Sequence, residues 1–92
     1  MILDFQSART GNYELLVCGF LGKYTYKVMW HTETAMTVVG AGSEEYTDVY
    51  DARYAAVLHL ANILPKAQSE RLIASQAELT WEPYPPGVPF RL

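Results

Sequence analysis

Apolar positions along the chain follow two periods. Between Tyr13 and Val39 they come in short runs of β type, and between Asp48 and Leu64 they recur at helical spacing. Ten residues without a clear period lead in, and Gly11-Asn12 then marks a turn. Tyr13 to Leu21 carries Leu15, Leu16, Val17, Phe20 and Leu21 with little alternation, which predicts a strand covered on both faces. Gly22-Lys23 follows, with glycine first, the pattern of a type II′ hairpin turn. In the next run Tyr24, Tyr26, Val28 and Trp30 alternate with Lys23, Thr25, Lys27 and Met29. That alternation predicts a strand with one aromatic face and one mostly solvated face. His31-Thr32-Glu33-Thr34 reads as a turn, Ala35 to Val39 as a third strand, and Gly40-Ala41-Gly42-Ser43 as the break that ends it. Links this short predict a three-stranded antiparallel meander.

A helix is predicted over Asp48 to Leu64. Asp48 suits the N-cap, Asp51 adds negative charge to the first turn, and Pro65 stops continuation. Its apolar residues sweep roughly two-thirds of the circumference, where a surface helix needs a stripe only a little over about 100° wide. The helix therefore requires cover beyond one sheet face. A second helix is expected after Ser69, carrying Leu72, Ile73 and Ala77. From Leu79 the pattern turns extended, and prolines at 83, 85, 86 and 89 exclude helix and central strand. The expected whole is one small α+β domain over 1–92, with helices packed on one face of the sheet and an extended proline-rich tail over 80–92. Trp81, Tyr84, Val88 and Phe90 would pack back on the domain or on a neighbour.

Composition narrows the class. Half of the 92 residues are hydrophobic and 18 % are charged, which excludes an intrinsically disordered chain. A single cysteine excludes an internal disulfide framework and a cysteine-based zinc site. No run approaches the length of a membrane span, and Met1-Ile2-Leu3-Asp4 lacks the basic start of a signal peptide, so a cytoplasmic setting is expected. The net charge of −3 argues against nonspecific nucleic-acid or anionic-lipid binding.

The reactive residues lack the partners that chemistry needs. Cys18 lies in the most apolar strand, where burial raises a thiol pKa and makes an inert core cysteine the expectation. His31 and His59 show no zinc-ligand spacing and are expected to be solvated. Gly40-Ala41-Gly42-Ser43 lacks the lysine of a phosphate loop and is followed by Glu44-Glu45. No catalytic residue, metal site or cofactor is implied, and the reading is non-enzymatic. The basic residues are scattered, and the Tyr24, Tyr26 and Trp30 aromatics face away from Lys23 and Lys27, unlike a single-strand binder. Pro86-Gly87-Val88-Pro89-Phe90-Arg91 fits the P-x-x-P-x-R pattern of polyproline ligands.

The acidic stretch offers more. Glu44, Glu45, Asp48 and Asp51 interleave with Tyr46 and Tyr50, and tyrosine beside charge suits protein recognition. These six are the candidate partner-binding residues. The wide apolar surface of the first helix suggests a second interface, a homodimer or a partner-bound state burying Tyr54, Val57, Leu58 and Ala61.

Residues 12 to 64, a hairpin-rich sheet followed by a Gly-rich break and an Asp-Ala-rich helix beginning DVYDARYAA, resemble small phage-encoded α+β proteins, including anti-CRISPR inhibitors. The resemblance implies a protein that binds a bacterial defence complex in the host cytoplasm and blocks it. It assigns no functional residue. A self-assembling structural or assembly subunit of a virion or larger complex is the alternative expectation.

Overall fold

The computed structural model describes residues 3–83. Four strands run in succession, β1 (Leu3–Thr10), β2 (Tyr13–Phe20), β3 (Lys23–His31) and β4 (Met36–Ala41). Two helices follow, α1 (Val49–Ile63) and α2 (Lys66–Ala74), then one 3-10 turn at Gln76–Glu78 and a short strand β5 (Glu82–Pro83). The sheet order is β4-β3-β2-β1-β5 and every pairing is antiparallel. The fold is α+β, as the patterning implies, but the sheet has five strands instead of three. β1 hides from a period-based reading because its helix-side positions are Asp4, Gln6 and Ala8, two of them polar. β5 sits on the outer edge of β1, where Pro83 is tolerated because β5 is an edge strand among the described residues. The remaining proline-rich residues, including the P-x-x-P-x-R pattern, lie outside the described residues.

β2 is the centre of the sheet. Leu15, Leu16 and Val17 are all fully buried, so consecutive side chains are covered on both faces. Leu15 and Val17 join Tyr26 and Val28 of β3 in the main core, against Ala52, Ala56 and Leu60 of α1. Alanine at two of three successive i, i+4 positions lets the helix backbone come close to the sheet. Asp48 caps α1 by accepting the Tyr50 N–H at 2.8 Å, and the Leu64 N–H closes the last turn on Leu60 O. The helix thus occupies the span its cap and proline predict.

Three local expectations need correction. The β2–β3 turn is Leu21-Gly22, with Phe20 paired to Lys23, and both turn residues have positive φ. That is the requirement of a type I′ turn, not II′. α2 starts at Lys66, directly after Pro65, so Ser69 is inside it and caps nothing; proline lacks only an N–H that a helix start would leave unpaired. The face of β3 opposite the helices is not solvated as a whole, because Met29 is fully buried there and the fully buried Leu16 lies on the same face of the adjacent β2, paired with Lys27.

Leu21 holds φ at +53° while 75 % exposed. A leucine in the left-handed region costs about 1–2 kcal/mol, and its exposed side chain returns little. Leu21→Gly is therefore expected to leave stability unchanged or raise it by up to about 1 kcal/mol, since glycine's larger unfolded-state entropy takes back part of the relief. Urea denaturation checks this, and a loss above that size would mean the Leu21 side chain holds the turn together.

Candidate functional site

Residues 42–48 connect the sheet to α1, and Tyr50 and Asp51 follow in the first turn of the helix. Tyr46 anchors the connection: its N–H donates to Tyr24 O at 2.8 Å, and its carbonyl accepts the Tyr24 N–H at 2.7 Å. The Tyr46 ring packs against the main core and is half-buried. Glu44, Glu45, Asp48, Tyr50 and Asp51 are exposed, Tyr50 at 68 %. Five of the six candidate partner-binding residues thus stand on one exposed segment, and the sixth holds its backbone to β3. Glu45 lies 4.0 Å from Lys23 Nζ across solvent, a contact of little energetic weight.

The proposed self-association residues separate. Val57 and Ala61 are 2 % and 5 % exposed inside the chain's own core, Leu58 is half-buried, and Tyr54 is 48 % exposed. The extra cover that α1 needs comes from α2, through Leu72, and from the segment that follows it. Val57 shares a cavity wall with Gln76, Ala77 and Leu79. Val57 and Ala61 are thus already covered within the chain, which corrects the expectation that they are open to a dimer patch with Tyr54 and Leu58.

Sequence patterning missed a clasp beside this segment. Arg53 of α1 lies between two rings, its guanidinium carbon 5.2 Å from the centroids of both Tyr50 and Trp81. Its Nε donates to Gln6 Oε1 at 3.0 Å, and Nη2 donates to the same oxygen. One arginine therefore ties the helix to β1 and to the chain returning from α2. Tyr50 stands three residues before Arg53 on the same helix, but Gln6 and Trp81 come from two distant segments, so the local sequence does not signal the clasp.

His59 is likewise not free. Its Nδ1 lies 2.7 Å from Tyr26 Oη, and its ring stands over Gly40. His31 Nε2 lies 3.0 Å from Glu14 Oε1, on the face away from the helices. Both histidines are therefore structural partners, against the expectation of solvated rings. Cys18 is half-buried on that same face, and burial pushes its thiol above the usual value while Lys27 pulls the other way. Burial also raises the Tyr26 phenol, helped by Tyr46 and by Glu44.

Both shifts favour the protonated form in the folded state, so the unfolded chain binds fewer protons over the alkaline range. Stability from these groups is complete below their unfolded values, about 8.5 for cysteine and 10 for tyrosine, and is lost as pH rises through the higher folded values. Thermal melts are expected to show Tm falling above that lower limit, with Cys18→Ser removing the first part of the decline. A Tm that rises over this range contradicts the assignment.

Among the described residues, no group of three or more His, Cys, Asp or Glu is placed to hold a metal ion, and no helix is long and apolar enough to cross a membrane. Comparison with protein-family models, with curated proteins and with solved structures gives no match.

Proposed function

We propose that this chain is a non-enzymatic protein-binding module that docks its acidic segment on a basic protein surface. Its likeness in layout to anti-CRISPR inhibitors makes a bacterial nucleic-acid-processing defence complex the proposed target. The observation that carries the reading is the exposure of Glu44, Glu45, Asp48, Asp51 and Tyr50 on a backbone held at Tyr46 and capped at Asp48. Charges ordered before binding steer association and lose less entropy on docking.

The test compares the wild type with Glu44→Lys/Glu45→Lys/Asp51→Lys. Asp48 is left intact because its side chain caps α1, and losing that cap costs about 1 kcal/mol. The wild type should retain such a complex from a bacterial lysate at low salt, and the triple variant should not. Purified components should show association slowed at least about tenfold at low salt and little changed at high salt. Equal capture by the triple variant sinks the acidic interface.

One feature favours a second reading, a self-assembling subunit. β4 forms an outer edge of the sheet, and its six residues, MTVVGA, include no charge and no proline to discourage edge pairing. Recovery of only further copies of this chain supports that reading over the first.

A further inference from the structure

We propose that the cleft between the β1–β2 turn and α2 binds a small ligand with a planar aromatic body, one carboxylate and no cationic group. The cavity measures about 490 Å³, within the size range of small-molecule sites. Tyr13 and Trp30 are directly paired across β2 and β3, and both line it, with Trp30 41 % exposed. Leu64, at the C-cap of α1, and Leu72 of α2 add an aliphatic side. An aromatic pair beside leucines suits a flat apolar body.

The charges on its walls are one-sided. Arg71 lines the cleft, and no Asp or Glu is among the described residues that do so, although the chain as a whole is acidic. The Arg71 side chain has no hydrogen-bond or ion-pair partner among the described residues, which leaves its fork of donors available. Its own carbonyl is already taken by the Ser75 N–H at 3.0 Å and the Ser75 hydroxyl at 2.8 Å, so that carbonyl does not compete for the guanidinium. Gln68 supplies a neutral polar group at the same wall.

One guanidinium without a second cation matches a single negative charge better than a phosphate monoester. The lack of a carboxylate leaves an ammonium without a partner, so free amino acids and amines fit poorly. The turn wall is preformed, because the His31 N–H donates to Asn12 O at 2.7 Å and extends the β2–β3 ladder to its tip. This site lies apart from the acidic segment and does not depend on the docking proposal.

N-acetylphenylalanine, its amide and free phenylalanine are suitable probes, since they differ only in the groups at issue. Titration followed by the indole N–H signals of the two tryptophans, Trp30 and Trp81, excludes binding beside Trp81. Trp30 also borders a cavity lined by Arg9, His31 and Glu33, and the Arg71 variant separates that cavity from the cleft. Trp81→Phe assigns the signals. N-acetylphenylalanine should shift the Trp30 signal saturably, and the amide and the free amino acid should bind at least about tenfold more weakly, the worth of a charge-assisted pair. Arg71 is exposed on α2, so Arg71→Gln should keep the fold and abolish the preference for acid over amide. Equal binding of acid and amide, an intact preference in Arg71→Gln, or no saturable shift at Trp30 overturns the proposal.

Discussion

Val57→Glu is expected to unfold the chain, not to release a soluble monomer from a dimer. Val57 is 2 % exposed and belongs to the cluster that joins α1 to the sheet and to Leu72 of α2. An unpaired carboxylate there costs about 3–5 kcal/mol, against a total of roughly 5–15 kcal/mol for a domain of this kind. Circular dichroism and urea denaturation should show loss of the cooperative transition or a large fall in its midpoint. Tyr54→Glu is the control, since Tyr54 is 48 % exposed only three residues away and its substitution should leave the fold intact. A folded Val57→Glu protein would mean that α2 and the segment after it do not cover α1 in solution.

Gly40→Ala is expected to destabilise the protein by about 1–3 kcal/mol through overpacking. A Cβ at this position would lie 2.8 Å from His59 Cδ2 and closer still to Nε2. The ring cannot simply step aside, because its Nδ1 is held at Tyr26 Oη and Tyr26 is itself 8 % exposed. The backbone at Gly40 is outside the left-handed region, so alanine adds no conformational strain of its own. His59→Ala should also destabilise, by about 1–3 kcal/mol, for it leaves the Tyr26 hydroxyl without its partner. The double variant separates the two effects. With the ring gone the added methyl has room, and Gly40→Ala/His59→Ala should be no less stable than His59→Ala alone. Additive losses in denaturant midpoints would contradict the contact.

Periodicity and capping determined much of this protein. Asp48, the i, i+4 alanines and Pro65 predict α1 to within a residue of its observed bounds, because each acts over one or two turns. The unbroken apolar run Leu15-Leu16-Val17 predicts a strand buried on both sides, and all three residues are fully buried. The exposure of Glu44, Glu45, Asp48 and Asp51 also follows from residue type and position at a helix start. Tertiary structure decided the rest. β1 carries Asp4 and Gln6 on the helix side, and only pairing with β2 makes it a strand. Gln6 becomes acceptable there once Arg53, 47 residues away, donates to it. Met29 sits at the alternate positions of a strand whose other members are Lys23, Thr25 and Lys27, yet it is fully buried. The wide apolar surface of α1 was legible, but whether a second copy or the chain's own α2 covered Val57 and Ala61 was not. Alternation and helical spacing state which side chains share a face; what lies against that face depends on residues far away in the chain, and only folding brings them together.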